Sequence, residues 1–476
     1  MARAQRAGEG GGAILALVLL AACGGSSSPA GTTPVATPAP QAARPSFVVV
    51  LADDLDVPTT LELPRLPSLL AERGLSFTRA YAAQALCAPS RASILTGQYS
   101  RSHGVLGNEP PSQGFVAFRR HEAQSLAPWL KAAGYRTALV GKYMNGYAYG
   151  AGDAYVPPGW DEWFGHLAAT EDGRYYDYWV NDNGDVRRYG EQPEEYSADV
   201  ETQRAVRFIR DSAGRPEPLF LLLGPQAPHV PATYASRHGA DFRYAVAPRV
   251  PSFNESDVSQ KPSWVRQIRP LTDADIDNAD KLERFRLRSL QAVEEMVQAV
   301  IQALAETGRL ERTYVVFTSD NGLLMGQHRA VAVKSNAYEE SIGIPLIVRG
   351  PGVPVGRTDA FALTVDLAPT LLDLAGAPVP DSVEGRSLAP FLRGAAPASW
   401  RTDVLVENHG AGPSYTLRTS DWMYNHQDTE EIELYDMKAD PYQIKNLRRQ
   451  ADPALLDSLE SRIRALLACR GVSCRA

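Results

Sequence analysis

Residues 46–54 read SFVVVLADD, a mostly apolar run followed at once by two aspartates. A short run of β-branched and aromatic residues without polar alternation is typical of a strand buried on both faces of a parallel sheet. Asp53 and Asp54 would then lie at the carboxyl end of that strand, where open α/β sheets bind their ligands. The stretch therefore predicts a buried strand that ends in an acidic binding site.

Other apolar runs resemble the first one. Three of them lead into polar or glycine-rich turns: 137–141 into Lys142, 219–223 through Gly224 to His229, and 314–318 into Asp320 and Asn321. A further strand is predicted at 344–348, and helical patterns cover about 65–73, 122–133, 196–212 and 277–307. This alternation predicts an α/β fold: a large mixed, mostly parallel sheet flanked by helices on both faces.

The pattern changes beyond about residue 395. Short candidate strands occupy 402–407, 414–418 and 432–435, and a helix is predicted at about 453–468. We expect a catalytic domain at 45–395, followed by a small C-terminal α+β subdomain with an antiparallel sheet at 396–476.

The N-terminal segment has the features of a bacterial export signal. Arg3 and Arg6 precede an apolar run at 13–22 that is too short to span a membrane but suits a signal-peptide core. Residues 20–23 read LAAC and resemble a lipobox, in which Cys23 becomes the lipidated first residue. We therefore expect a lipoprotein signal peptide at 1–22; an ordinary signal peptide cleaved nearby is the alternative.

Residues 23–44 are rich in Gly, Ser, Thr and Pro and lack bulky apolar side chains. Such a segment cannot bury a core and behaves as a flexible tether. A tether directly after Cys23 suits a lipid-anchored protein. We therefore expect the protein to lie in the cell envelope, anchored to the membrane by lipid and facing away from the cytoplasm.

Charge and cysteine content limit the functions that this chain can have. A net charge of −7 excludes nucleic acid as the main partner, although it permits a small anionic substrate held by a few local cations. Of the four cysteines, Cys469 and Cys474 lie five positions apart and can form a disulfide in an exported protein. Cys87 is then left without a partner and calls for a functional explanation.

Residues 87–91 read CAPSR, and residues 95–97 read LTG. Pro89 suits the first turn of a helix, which places residue 87 at the positive end of the helix dipole. Arg91, one turn on, can direct a forked donor at the same anion. A buried cysteine with a purely structural role at a helix start is the alternative.

These motifs resemble the sulfatase family, whose signature is C-x-P-S-R followed by L-T-G. The resemblance implies that a formylglycine-generating enzyme oxidises Cys87 to formylglycine, an aldehyde that hydrates to a diol. It extends from about residue 46 to the family's closing motif near 447, and so over nearly the whole mature chain.

The resemblance also implies a metal site made by Asp53, Asp54, Asp320 and Asn321. Three carboxylates and one amide oxygen form a hard, all-oxygen ligand set that suits calcium, with magnesium as the alternative. Each pair alone would be equally consistent with a solvated or capping role.

Three further residues match sulfate-binding positions of the family. Lys142 lies in Gly-Lys-Tyr, His229 lies in Ala-Pro-His-Val-Pro, and Lys334 follows the Asp320-Asn321 pair at the family's distance. The resemblance implies that Cys87, Arg91, Lys142 and His229 are catalytic. Lys142, His229 and Lys334 would bind the sulfate, and Asp320 would accept the proton of the nucleophile.

One position departs from many sulfatases. Met144 stands where they carry a histidine, and Asn145 follows it, an arrangement that resembles members acting on N-acetylglucosamine 6-sulfate. His103 is a substitute base or a structural residue. The aromatic residues of 143–179 form either a sugar platform or a packed insertion.

The sequence therefore predicts hydrolysis of sulfate esters, on a sulfated sugar such as N-acetylglucosamine 6-sulfate. Two alternatives remain open. One is a phosphonate monoester or phosphodiester hydrolase with the same nucleophile. The other is a catalytically silent envelope protein that binds sulfated glycans.

Overall fold

The structure, a computed structural model, describes residues 44–167, 174–409, 413–429 and 431–475. The predicted signal peptide and Cys23 lie outside these residues, as does the predicted tether up to residue 43.

The strands of the described residues fall into a ten-stranded, a four-stranded and a two-stranded sheet. Their bounds are β1 (Ser46–Ala52), β2 (Leu75–Tyr81), β3 (Arg136–Gly141), β4 (Glu162–His166), β5 (Tyr178–Asp182), β6 (Asp185–Tyr189), β7 (Leu219–Gly224), β8 (Thr313–Ser319), β9 (Leu324–Met325), β10 (Val331–Val333), β11 (Leu346–Arg349), β12 (Gly356–Leu363), β13 (Asp403–Asn408), β14 (Ser414–Thr419), β15 (Trp422–Gln427) and β16 (Ile432–Asp436).

The ten-stranded sheet runs β12-β2-β11-β8-β1-β7-β3-β4-β5-β6. Its centre is parallel: β1 pairs with β7 and β8, and β3 pairs with β7 and β4. Antiparallel pairs join β11 to both of its neighbours and link β4, β5 and β6. The prediction of a mixed, mostly parallel sheet is confirmed.

Helices cover both faces of this sheet, as expected. Their bounds are α1 (Val57–Leu61), α2 (Leu66–Leu69), α3 (Cys87–Thr96), α4 (Ser100–His103), α5 (Phe115–Phe118), α6 (Leu126–Ala132), α7 (Ser197–Arg210), α8 (Ser263–Arg266), α9 (Asp273–Glu306), α10 (Glu339–Ile342), α11 (Leu367–Leu374), α12 (Ala389–Leu392) and α13 (Pro453–Ala468). Consecutive residues of β1 belong to different core clusters: Val49 belongs to one and Val50 to the other. One cluster contains residues of α3, α6 and α11, and the other contains residues of α7 and α9.

Two predicted elements have a different form or direction in the structure, and eight strands were not predicted: β2, β4, β5, β6, β9, β10, β12 and β15. The strand expected at 344–348 is β11, which pairs antiparallel with β8. The chain connects the two strands through β9, β10 and α10 and does not make the helical crossover that a parallel pair requires. The helix expected at 65–73 is the single turn of α2 followed by a short 3-10 segment.

The C-terminal strands form a separate antiparallel sheet in the order β13-β14-β15-β16. Helix α13 packs on it through Leu459 and Ile463. Cys469 and Cys474, which follow this helix, form a disulfide. The predicted small antiparallel C-terminal sheet is thus confirmed.

Candidate active site

The polar residues predicted to form a site meet at the carboxyl edge of the large sheet. Asp53 and Asp54 follow β1, Lys142 follows β3, and Asp320 and Asn321 follow β8. The remaining residues come from loops and helices at the same edge: Cys87 and Arg91 from α3, His229 from the loop after β7, and Lys334 from the loop after β10. The structure therefore brings together every residue that the sequence placed in the site.

Cys87 is the first residue of α3 and is fully buried. Its Sγ lies 3.3 Å from Asp53 Oδ1 and 3.7 Å from Asp54 Oδ1, and Lys334 Nζ lies 2.9 Å from the same sulfur. Burial, followed by the charge of Asp53, raises the pKa of the Cys87 thiol well above its usual value. Reactive cysteines lie in electropositive surroundings that favour the thiolate, so this position does not resemble a thiolate site.

Two lysines neutralise the aspartates that follow β1. Lys142 Nζ lies 2.5 Å from Asp53 Oδ2, and Lys334 forms an ion pair with Asp54 Oδ1. Burial alone would raise the pKa of Asp53, but Lys142, His229, Arg91 and Lys334 together hold it well below its usual value. Both aspartates therefore remain ionised inside the protein, which is the state that a metal ligand needs.

Arg91 and Asp320 form a buried pair, with Arg91 Nε 2.7 Å from Asp320 Oδ2. Arg91 Nη1 also donates to the backbone oxygen of Lys142 at 2.9 Å. The other Asp320 oxygen, Oδ1, accepts from the Asp54 backbone N–H at 3.2 Å. Burial and the neighbouring Asp53 raise the pKa of Asp320 to about 6, despite the opposing charge of Arg91.

His229 faces the aspartates with one ring nitrogen. Its Nδ1 contacts the Val230 carbonyl oxygen at 2.7 Å, so this nitrogen carries the proton and donates it. Nε2, 3.6 Å from Asp54 Oδ2, is then the acceptor in the neutral ring. Burial lowers the pKa of His229 in spite of Asp54 and Asp53, which favours that neutral form.

The residues present fit a hard divalent cation. Two of the four predicted ligands, Asp53 and Asp54, gather with His229 and Cys87 Sγ, with one ligand atom of each within 4.8 Å of the others. Asp320 lies outside this group, and its two oxygens accept from Arg91 and from the Asp54 N–H. Asn321 donates through Nδ2 to Asp54 Oδ1 at 2.7 Å, and within the described part of the chain its buried Oδ1 has no hydrogen-bond partner. An amide oxygen left over beside two carboxylates is the donor that a calcium or magnesium ion would take.

The close approach of β3 and β7 at this edge requires glycine on both strands. A Cβ on Gly141, whose φ is +106°, would lie 2.3 Å from the Gly224 carbonyl oxygen. A Cβ on Gly224 would lie 2.6 Å from the Lys142 carbonyl oxygen, the acceptor of Arg91. The two glycines thus leave room for Lys142 and Arg91 to lie next to each other at the bottom of the pocket.

A buried network that supports Asp54 was missed from the sequence. Asp54 adopts a left-handed φ of +67°, and Arg286 Nη2 of α9 donates to its backbone oxygen at 2.8 Å. Arg286 also pairs with Asp56 at 2.5 Å and with Glu283 at 2.9 Å. Sequence reasoning had no local signal for this network, because Arg286 lies more than 200 positions from the aspartates that it holds.

Packing surrounds two features whose roles the sequence left open, the aromatic residues of 143–179 and His103. Met144 is buried in the core, and Tyr143, Tyr147 and Trp163 pack edge-on or tilted against one another. Much of the aromatic insertion therefore packs internally. His103 is also engaged on both nitrogens: it accepts from the Val105 N–H through Nδ1 at 3.0 Å, and its Nε2 lies 3.1 Å from Ser93 Oγ. It has a structural role between α3 and α4.

Among the residues that the structure describes, no helix is both long and apolar enough to cross a bilayer.

Two protein-family models match the chain. The sulfatase model matches residues 45–377, and a model described as the C-terminal part of N-sulphoglucosamine sulphohydrolase matches residues 326–468. Together they cover the large sheet, the site and the C-terminal sheet.

Curated relatives extend the match over almost the full length. The chain is 34% identical to N-acetylglucosamine-6-sulfatase of Homo sapiens, an alignment that covers 91% of this chain and 86% of the relative. It is 28% identical to N-acetylglucosamine-6-O-sulfatase of Bacteroides thetaiotaomicron, covering 86% and 84% of the two chains.

Solved structures share the fold. One protein, in complex with its substrate D-glucosamine-2-N,6-O-disulfate, superimposes with a TM-score of 0.73 and 26% identity over 89% of this chain and 97% of that one. A phosphonate monoester hydrolase from Silicibacter pomeroyi has a TM-score of 0.69 at 23% identity over 89% and 94%, which is a likeness of fold alone. The family match over most of the chain, the relatives and the converged site agree: the protein belongs to the sulfatase family and is a sulfuric ester hydrolase.

Proposed function

We propose that the protein hydrolyses the 6-sulfate ester of N-acetylglucosamine residues in a sulfated glycan. The observation that carries this proposal is the buried cluster around Cys87, in which the carboxylates of Asp53 and Asp54 and the ammonium of Lys334 approach one sulfur atom and Lys142 pairs with Asp53. The curated relatives named N-acetylglucosamine-6-sulfatase supply the substrate.

The nucleophile in this proposal is formylglycine, made from Cys87 by a formylglycine-generating enzyme. The hydrated aldehyde would supply two hydroxyls, one to attack sulfur and one whose deprotonation lets the sulfate leave. An unconverted Cys87 would be a poor nucleophile, because burial and the charge of Asp53 raise the pKa of its thiol.

Asp53, Asp54, Asp320 and Asn321 would hold the metal, which we propose to be calcium, with magnesium as the alternative. When bound, the ion would supply positive charge to the sulfate oxygens and to the attacking hydroxyl. Asp320 accepts the proton of that hydroxyl, and Arg91 holds Asp320 in place.

Lys142 and Lys334 would neutralise charge on the sulfate in the transition state, and His229 would line the same binding position in its neutral form. The Nδ1–H of His229 already donates to the Val230 carbonyl oxygen, so only Nε2 of this ring is available for a proton transfer. Its Nε2 can therefore accept the proton in the second step, a role for which Met144 is chemically unsuitable. Lys334, a three-proton donor beside Cys87, protonates the leaving alcohol.

A cavity of about 280 Å³ next to Lys334 suits the sugar ring. Its wall combines the indole of Trp264 with Asn425, Gln427 and Glu433 from the C-terminal sheet. The indole offers the aromatic face that a sugar ring can pack on, whereas Asn425 and Glu433 are buried and hydrogen-bond to each other. In this proposal the catalytic domain (45–395) supplies the chemistry, and the C-terminal subdomain (396–476) supplies sugar contacts.

We also propose export and lipid anchoring. A signal peptide at 1–22, lipidation at Cys23 and a tether from 23 to 44 would hold the enzyme at the outer side of the membrane, where sulfated glycans are encountered. Labelling of Cys23 with a clickable fatty acid in the native host tests the anchor. A Cys23→Ala variant that is still labelled would contradict it.

The proposed activity is tested with protein produced together with a formylglycine-generating enzyme. Initial rates are compared on N-acetylglucosamine 6-sulfate, 4-nitrophenyl sulfate, 4-nitrophenyl phosphate, bis(4-nitrophenyl) phosphate and a 4-nitrophenyl phosphonate monoester. Cys87→Ala is the inactive control. We expect the highest kcat/KM on the 6-sulfated sugar.

The alternatives give different outcomes in the same assay. A higher kcat/KM on the phosphonate or on the phosphodiester would replace the proposal with the phosphonate or phosphodiester hydrolase. Tight binding of a sulfated glycan without turnover of any substrate would favour the silent binding protein.

A further inference from the structure

The loop that carries Lys334 has an unusual backbone. Within residues 326–335, which we call the Lys334 loop, four non-glycine residues have left-handed φ values: His328 (+52°), Arg329 (+66°), Ala332 (+57°) and Ser335 (+64°). Side chains other than glycine avoid this region, so the loop keeps this shape only where its surroundings impose it.

A second segment imposes that shape. We call residues 252–268 the clamp segment. The His328 N–H donates to the Ser252 oxygen at 2.7 Å, and the Asn254 N–H donates to the Gly326 oxygen at 2.9 Å. Gly326 is in close contact with Phe253, since a Cβ there would lie 2.3 Å from its ring.

All three guanidinium nitrogens of Arg329 donate hydrogen bonds that hold the Lys334 loop against the clamp segment. Nε donates to the Glu255 backbone oxygen at 2.7 Å, Nη2 to the Ser256 oxygen at 2.7 Å, and Nη1 to the Ile268 oxygen at 3.2 Å. The Glu255 carboxylate adds a contact of 2.8 Å to His328 Nδ1. Arg329, His328 and Glu255 are all buried, so these hydrogen bonds are sheltered from water.

We propose that Arg329 and Glu255 are positioning residues that set the place of the Lys334 ammonium in the reaction. The inference rests on the proposed function, in which Lys334 binds the sulfate and protonates the leaving alcohol. The ion pair with Asp54 cannot hold Lys334 by itself, because Asp54 is also the proposed metal ligand. The backbone of the loop must therefore bring Nζ to within 2.9 Å of residue 87.

The test compares two buried arginines that make similar contacts. Arg329→Gln removes the fastening, and Arg309→Gln is the matched control. Arg309 also donates to three backbone oxygens, those of Glu217, Ser212 and Arg215, in a region remote from the site. Both changes are also made in the Lys334→Ala background, and kcat/KM is measured on a sulfate ester that the wild type hydrolyses.

We expect Arg329→Gln to lower kcat/KM by about 100-fold, the effect of misplacing a catalytic group by roughly 1 Å. Arg309→Gln should cost stability but little activity. In the Lys334→Ala background, Arg329→Gln should add less than about a twofold loss, because residues that act through one another are not additive. Arg329→Lys, which retains part of the contact, should give an intermediate loss.

Three results would overturn the proposal: losses that multiply in the double variant, equal losses in Arg329→Gln and Arg309→Gln, or no loss in Lys334→Ala. Hydrogen exchange of peptides spanning 326–335 gives a readout that needs no activity. Faster exchange there in Arg329→Gln or Arg329→Lys, but not in Arg309→Gln, supports the positioning role even if no sulfate ester is turned over. Unchanged exchange in the Arg329 variants would reject it.

Discussion

At the scale of single residues, the site is a buried balance of opposite charges. Asp53, Asp54 and Asp320 are compensated by Lys142, Lys334 and Arg91, all at the edge of one sheet. Buried charges remain ionised only when they are paired and hydrogen-bonded in this way. An added divalent cation would compete with the lysines for the aspartates, which leaves both ammonium groups available for a sulfate.

The first prediction concerns the metal. Calcium should raise the melting temperature, because an ion that binds only the folded state stabilises it by about 2.7 kcal/mol at 100 times its Kd. Asn321→Ala removes one proposed ligand and should abolish most of this increase. Asn181→Ala is the control, since Asn181 is equally buried but hydrogen-bonds with Tyr147 and Gly184.

Differential scanning fluorimetry across a calcium titration, repeated with magnesium, provides the measurement. Equal calcium-induced shifts in the wild type and in Asn321→Ala would contradict the proposed ligand set.

Residue types near strand ends allowed most of this site to be predicted. Asp53, Asp320 and Lys142 directly follow buried apolar runs, so their common edge follows from the parallel sheet. Arg286 and Arg329 could not be predicted, because each binds backbone oxygens of a segment that only tertiary folding brings near.

At the scale of elements, continuous apolar runs identified the central strands. β1, β7 and β8 are buried on both faces and have almost the predicted bounds. β6 and β12 escaped prediction because edge strands carry many charged or polar residues, as in DVRRY of β6. The direction of β11 also escaped, since an apolar run does not encode the side from which the chain enters the sheet.

The second prediction concerns the junction of α3 and α4. Burial, with His121 and Arg120 adding positive charge, lowers the pKa of His103 to about 3. The unfolded chain titrates near pH 6.5 at a histidine. As the pH falls below about 6.5, His103 therefore takes up a proton in the unfolded state but not in the folded state. The free energy of unfolding then declines by up to about 1.4 kcal/mol per pH unit.

Urea unfolding at a series of pH values checks this prediction. His103→Gln should show a shallower loss of unfolding free energy between about pH 6 and pH 4, the window between the unfolded and folded pKa values. Above about pH 6.5, the two slopes should coincide. Parallel slopes over the whole acidic range would show that His103 is not buried in its neutral form.

At the scale of the whole molecule, the two main sheets share hydrophobic cores. Val404 and Val406 of β13 belong to one cluster with Tyr81 of β2 and Leu363 of β12. Backbone bonding continues across the same boundary, where the Glu407 N–H donates to the Ala83 oxygen at 2.8 Å. The C-terminal sheet is therefore part of the same packed body as the catalytic sheet.

The third prediction follows from this shared core. Both sheets should unfold in one cooperative transition, because exposing the inner face of β13 also uncovers β2 and β12. Hydrogen exchange at increasing urea should give the same midpoint for peptides spanning 403–427 and 313–325. An earlier midpoint for the C-terminal peptides would show that the two parts are independent domains.

The proposed mechanism depends most on the chemical state of residue 87. Mass spectrometry of the tryptic peptide 80–91 (AYAAQALCAPSR), from protein made in its native host or with a formylglycine-generating enzyme, tests it directly. We predict a peptide lighter by the difference between cysteine and formylglycine, bearing an aldehyde that reacts with a hydrazide. An unmodified thiol at Cys87 under these conditions would contradict the proposed mechanism.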